Sequence, residues 1–177
     1  MTQINHYDPL WSPVRLRSAV YVEKNGQVLL VYDPIYRGGC WTLPGGGVDF
    51  AETVNQAAER EVQEETGIKI VVSRIWRLRE IWEKEQDFQS DIKIRRTMEL
   101  IFVGEYIGGD INYENDPSLK PDGIARVKQC RWIKLDSLGN SIDGSPIYPV
   151  ELFNSNRHRK LDSIPLEIIM LPSLDLR

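Results

Sequence analysis

Cysteine and histidine are scarce in this chain. Only Cys40 and Cys130 occur in 177 residues. They sit in unlike contexts without a Cys-x-x-Cys pattern, so neither a disulfide framework nor a thiolate metal cage is expected, and both read as reduced packing residues. The two histidines, His6 and His158, lie in the outer segments, away from any acidic cluster. Imidazole-based zinc chemistry is therefore not expected. Long apolar runs are missing too; none approaches the ~20 residues needed to cross a bilayer. The first 30 residues lack a basic start followed by an apolar stretch, so no secretory signal is read there, and a cytoplasmic location is the default expectation. Positive charge is not in excess. Lys+Arg number 22 against 26 Asp+Glu, and the net charge of −4 gives no overall basic field for a nucleic-acid polymer or an anionic membrane. There is no internal repeat and no low-complexity tract.

What remains suits one soluble globular domain, 41% hydrophobic and 27% charged. Residues 1–13, with Pro9 and Pro13, read as an arm. Val14 to Glu23 and Gln27 to Tyr32 flank Lys24-Asn25-Gly26, a hairpin signal. Trp41-Thr42-Leu43 is a short strand. Pro44-Gly45-Gly46-Gly47 reads as loop. Ile68 to Trp82 and Ile92 to Tyr106 are long strands around a polar turn at Glu83 to Asp91, a second hairpin. Gly108 to Gly123 reads as loop, Ala125 to Ile133 as the last strand, Asn140 to Pro149 as loop, and Val150 to Lys160 as a short helix. Mixed strands around one central helix imply α/β packing. The expected organisation is an arm (1–13), one domain (14–138) and a C-terminal extension (139–177) packed on that domain.

The central helix carries the chemistry. Thr53 and Gln56 form a capping-box pattern, Val54, Ala58 and Val62 mark an inward face, and Gly67 sits where a left-handed terminal residue is wanted. Glu61, Glu64 and Glu65 then share one face. Like charges at three- and four-residue spacing weaken a helix by about 0.2–0.5 kcal/mol per pair. A hard divalent cation neutralises such a set well, because Mg²⁺ takes oxygen ligands and keeps open positions for phosphate. With no imidazole or thiolate nearby, Mg²⁺ or Mn²⁺ fits better than Zn²⁺. The bland alternative is a solvated Glu-rich face. The glycine run is no P-loop, since no Gly-Lys-Ser/Thr follows.

Gly46, Glu52, Arg60, Glu61, Val62, Glu64, Glu65, Gly67 and Ile68 fill every defined position of G-x5-E-x7-R-E-U-x-E-E-x-G-U, with U an aliphatic residue. In this the chain resembles the Nudix hydrolases (MutT-like), and the wider likeness in element order runs from about Val14 to about Leu138. The resemblance implies the Nudix fold, a mixed β-sheet sandwiched between α-helices. It also implies Mg²⁺-dependent hydrolysis, by metal-activated water, of the phosphoanhydride bond in a nucleoside diphosphate linked to another group. By resemblance, Glu61, Glu64 and Glu65 are metal ligands, with a backbone carbonyl of Gly45 or Gly46 beside them. Arg60 then orients a glutamate, and Glu52 and Gly67 support the helix. The general base is open between a box glutamate and an acid outside it, with Glu99, Glu105 and Asp122 as candidates.

Arg37, Trp41, Arg95 and Arg96 are candidate substrate contacts, each set against a plain reading as core or solvated surface. Arg95 and Arg96 must point to opposite faces of a strand. Trp11, Trp76 and Trp82 read as packing or oligomer surface. The substrate branch follows from smaller marks. The proline that ADP-ribose branches often carry, about 15 residues past the box, is absent from Glu83 to Asp87. The tyrosine common in dinucleoside-polyphosphate hydrolases is absent from Trp82 to Asp87, and the coenzyme A signature is missing. Leu43-Pro44-Gly45-Gly46 looks like the branch that takes (d)NTPs, so the reading leans to nucleotide sanitising. ADP-ribose, dinucleoside polyphosphates and nucleotide sugars are the alternatives. A nucleotide-sensing domain without catalysis and a partner-binding scaffold are the readings from other classes. The expected partner is a small nucleotide, not a nucleic-acid polymer or a membrane. A homodimer through the arm at Tyr7 to Trp11 is left open.

Overall fold

Asn25 and Gly26 turn the chain back on itself with φ of 52° and 71°, both in the left-handed region that a tight two-residue hairpin demands. The flanking strands are β1 (Val14–Lys24) and β2 (Gln27–Asp33), antiparallel, with Glu23 opposite Val28 and Lys24 opposite Gln27. The structure is a computed structural model and describes residues 14–86, 92–112, 129–139, 141–149 and 167–170. The expected arm, Asp122, residues 125–128 and the expected helix at 150–160 lie outside those residues.

Beyond the turn, β1 and β2 diverge. The opening is filled by the glycine run, which is a strand, β4 (Gly45–Gly47), after β3 (Cys40–Thr42). In β4, Gly47 lies opposite Arg17, Gly46 opposite Ser18 and Gly45 opposite Ala19. The expected loop is thus corrected to a β-strand for a steric reason. A Cβ at Gly45 would lie 2.2 Å from the Ser18 carbonyl oxygen and 2.6 Å from the Ala19 Cα. Glycine alone lets this segment press so closely on β1.

The far edge of β1 runs parallel to β6 (Ile92–Gly108), from Val14 opposite Arg96 to Glu23 opposite Glu105. β5 (Lys69–Gln86) pairs antiparallel with β6 through three register shifts, as the second hairpin signal anticipates. It runs past Trp82 to Gln86, into the stretch read as a polar turn. β7 (Gln129–Lys134) pairs with β2, and β10 (Glu167–Met170) adds parallel to β5. The sheet order is β10-β5-β6-β1-β2-β3. The stretch read as loop from 140 holds two short paired strands, β8 (Ser141–Ile142) and β9 (Ser145–Pro146).

Side chains alternate across the sheet and build two cores. Ala19, Tyr21, Leu30, Trp41, Trp76, Ile101 and Ile147 pack on one face. Val20, Val22, Leu29 and Val31 pack on the other, against Ala58 and Val62 of the helix α1 (Val54–Thr66). The class is α/β as expected, a mixed sheet with one α-helix among the described residues. The α1 ends match the sequence signals. Thr53 and Gln56 form the capping box, and Gly67 takes φ 75° with its N–H on the Gln63 carbonyl. Such a cap is worth about 1 kcal/mol. Cys40 and Cys130 are both free and buried.

Candidate active site

Three bonds seat α1 over the β1–β4 junction. The Ser18 hydroxyl donates to the Val54 carbonyl at 2.9 Å. The Val72 N–H on β5 donates to Glu59 at 3.0 Å. The Gly45 N–H donates to Glu65 Oε2 at 2.8 Å. The last of these ties a box glutamate to the glycine strand, so the carboxylate face of α1 looks across β4. Gly46 meets Glu61 there. A Cβ at that position would lie 2.2 Å from Glu61 Oε1 and 2.5 Å from Oε2. The glycine leaves a cradle that the carboxylate fills.

Arg60 organises the remainder. Its Nε and Nη2 donate to the two oxygens of Glu52 at 3.0 and 2.7 Å. Its Nη1 donates to Glu61 at 3.0 Å and Glu64 at 2.9 Å, and Nη2 also reaches the Gly47 carbonyl at 3.1 Å. One guanidinium thereby joins three acids to the glycine strand. The Arg60 hydrogen bonds hold the Glu52 carboxyl below its ordinary range. Burial pushes the Glu61 carboxyl up, against the pull of Arg60 and Arg17.

The donor set suits a hard divalent cation in kind. Glu61, Glu64 and Glu65 with the Gly45 or Gly46 carbonyl are oxygen donors only. Their arrangement differs from a ready-made cage, since among the described residues no three acids, histidines or cysteines gather as a metal cluster. The reason is visible in the bonds: Arg60 takes one oxygen each from Glu61 and Glu64, and Gly45 takes one from Glu65. On the Glu64 side an open cleft of about 720 Å³ is lined by Arg60, Gln63, Glu64, Gly67, Asp110 and Asn112. Gly67 is needed there for more than its φ, because a Cβ would lie 2.6 Å from the Asp110 carbonyl oxygen.

The other candidates scatter. Glu99 is 8% exposed, and both its oxygens accept from arginines, Arg17 Nε at 3.0 Å and Arg79 Nη1 at 2.7 Å. Glu99 thus anchors two arginines. Glu105 is exposed and lies opposite Glu23 of β1, roughly 20 Å along β6 from Glu99 at strand rise. Trp41 is 2% exposed and belongs to the core, so it has no ring face for a base. Arg37 is exposed at φ 51° and stacks on Tyr148, 3.9 Å from ring centre. Arg96 pairs with Glu80 and covers Trp82, and Arg95 precedes it on the strand, facing the other way. Trp76 is fully buried, edge-on to Tyr21. Arg17, Arg79 and Tyr148 are not anticipated by any motif. The alternation Val14-Arg15-Leu16-Arg17 is the one available signal, and it also describes an ordinary half-exposed strand.

Comparison with known proteins gives the frame. The family model described as NUDIX domain matches residues 13–150. The NAD-capped RNA hydrolase NudC of Vibrio vulnificus is 30% identical over 119 residues, 67% of this chain and 38% of that protein. The ADP-ribose pyrophosphatase of Methanocaldococcus jannaschii is 29% identical over 99 residues, 54% of this chain and 53% of that protein. The chain thus spans between about a third and half of the length of the curated relatives it matches. A crystal structure of a NUDIX hydrolase from Nitrosomonas europaea superposes with TM-score 0.61 at 17% identity, over 91% of this chain and 81% of that one; it bears on the fold alone. With the family model spanning most of the sequence and the box set on a capped helix against a glycine strand, the chain belongs to the Nudix family.

Proposed function

We propose that this chain is a divalent-metal-dependent hydrolase. It would break a phosphoanhydride bond in a nucleoside diphosphate that carries a second group. The observation that carries the reading is the binding of Glu52, Glu61 and Glu64 by the single guanidinium of Arg60, beside the Gly45–Gly47 strand that also holds Glu65. Bound Mg²⁺ or Mn²⁺ would supply charge neutralisation on the phosphates and a water of lowered pKa. Glu61, Glu64, Glu65 and a carbonyl of Gly45 or Gly46 would hold it. Arg60 keeps the acids in position as charge moves, and Glu52 fixes Arg60.

The relatives named for NAD-capped RNA and ADP-ribose support a diphosphate flanked by a nucleoside and a ribose or second nucleoside. This reading is favoured over the (d)NTP branch suggested by Leu43-Pro44-Gly45-Gly46. The test is a Mg²⁺-dependent hydrolysis screen with product identification, using Glu64→Gln as the blank. It compares NADH, ADP-ribose, dinucleoside polyphosphates, nucleotide sugars, (d)NTPs including oxidised forms, and an NAD-capped RNA. A preferred substrate whose turnover disappears in the variant supports the proposal and names the linked group. Activity indifferent to both Mg²⁺ and Glu64→Gln would overturn it. Preference for the capped RNA would overturn the expectation that no nucleic-acid polymer is a partner.

A further inference from the structure

We propose that Arg17 binds the substrate's diphosphate through the two terminal nitrogens of its guanidinium, and that Glu99, backed by Arg79, holds it in place to do so. The ligand's identity rests on the hydrolase reading above; the assignment of the side chain rests on geometry outside the box.

Gly47, Arg17, Glu99 and Arg79 stand opposite one another on β4, β1, β6 and β5. The row therefore begins at the glycine strand that holds the box acids and crosses the sheet on one face. Arg17 donates through Nε to Glu99 at 3.0 Å, and among the described residues this is its hydrogen bond to protein. That bond fixes the plane of the guanidinium and leaves the Nη1/Nη2 fork for a ligand. A planar fork is the geometry that takes two phosphate oxygens at once.

The support behind Arg17 is rigid. Glu99 gives its second oxygen to Arg79, and Arg79 also donates to the Tyr148 hydroxyl at 2.9 Å. The side chains of Arg79 and Glu99 are 1% and 8% exposed, whereas that of Arg17 is 21% exposed. Exposure thus rises along the row toward Gly47. The position facing Arg17 on β4 has no side chain to cover it.

The position of Arg17 agrees with this role. Its charge acts on the Glu61 carboxyl, and Glu65 and Tyr36 act in turn on Arg17.

The test measures binding apart from turnover. The probe is α,β-methylene-ADP, a diphosphate that resists cleavage, titrated into the full chain with Mg²⁺ by calorimetry, with adenosine as the reference. Arg17→Ala should weaken the probe roughly 10–100-fold, as expected for loss of a charged hydrogen bond, and leave adenosine unchanged. Arg17→Lys, which keeps the charge without the fork, should fall between. Glu99→Gln should weaken the probe while leaving adenosine unchanged, a split that a purely structural role for Glu99 would not give, even though its melting temperature falls because the buried Arg79 loses its counter-charge. Arg131→Ala, at an exposed arginine paired with Asp143, should bind as wild type. If Arg17→Ala does not fold, Arg17→Lys decides. Wild-type affinity in Arg17→Lys and Glu99→Gln, or no binding of the probe by wild type, would overturn the proposal. Mg²⁺-dependent turnover with an unchanged KM in the Arg17 variants would sink this assignment and leave the hydrolase reading standing. Probe binding lost in Arg17→Ala, with no substrate turned over by wild type, would do the reverse.

Discussion

Glu64 and Glu65 are neighbours in sequence with different attachments. Glu64 is held by Arg60, and Glu65 by the Gly45 N–H. Both are partly exposed, so a glutamine in either place fits without strain but loses the charge a divalent cation needs. Glu64→Gln and Glu65→Gln should each lower kcat by about 100-fold or more, above the 10–100-fold typical of outer-shell partners, with melting temperatures near wild type. Retained turnover in both would remove them from the metal site. The two thiols give a prediction of opposite character. Burial pushes Cys40 up to about 11, helped by Asp33 and opposed by Arg37 and Arg17. Burial and the Glu65 charge push Cys130 up to about 12. A raised thiol pKa favours the folded state fully below the unfolded value near pH 9. Above it the unfolded chain binds fewer protons, so this stability fades as pH climbs toward 11–12. Thermal melts from pH 8 to pH 11 should fall more steeply for wild type than for Cys130→Ala. Native-state alkylation at pH 8 should be slow and become rapid only in denaturant; rapid labelling of the native chain would contradict the burial of both.

At the scale of elements, the unit is the glycine strand with the helix it faces. The helix was legible down to its ends, because capping, an apolar stripe and a terminal glycine are local signals. The strand was not. Pro-Gly-Gly-Gly reads as a breaker until the partner is known, and the partner is Arg17 to Ala19, far back in the chain. On its other side Gly46 faces the helix, where a Cβ would lie 2.2 Å from Glu61 Oε1. Gly46→Ala should drive the Glu61 carboxylate off the strand, at a cost of about 1–3 kcal/mol for overpacking. Both the melting temperature and turnover should fall, whereas Gly26→Asn, in the hairpin turn at φ 71° where a Cβ meets nothing within 4 Å and where asparagine tolerates the left-handed backbone better than other side chains, should cost less stability and leave turnover unchanged. Equal tolerance at the two positions would show that the strand gives way and that the close approach has no consequence.

At the scale of the whole molecule, Arg60 neutralises Glu61 and Glu64, and on the proposed reading a divalent cation would do overlapping work. Millimolar Mg²⁺ should raise the melting temperature of wild type by mass action on the folded state. Arg60→Ala should melt lower than wild type without metal and recover part of the difference with Mg²⁺, because the cation can stand in for the missing charge. No Mg²⁺ shift in wild type, together with no recovery in the variant, would count against a metal site on this helix. The assembly of the sheet sets these parts side by side. β1 gives one edge to β2 and β4 in turn and the other to β6, so the box, the arginine row and the core all meet on one strand.

The sequence by itself determined the α/β class, the two hairpins, the capped helix and the identity of the box residues, because each depends on spacing within a short segment. It placed Glu61, Glu64 and Glu65 on one face by helical period alone. Tertiary structure decided what no local spacing carries. It made a strand of Gly45–Gly47, it set β6 parallel to β1, and it sank Trp41 and Glu99 while leaving Arg17 partly open. Those outcomes depend on which distant strands share an edge. That choice balances burial of many side chains at once against close backbone contacts that only glycine permits.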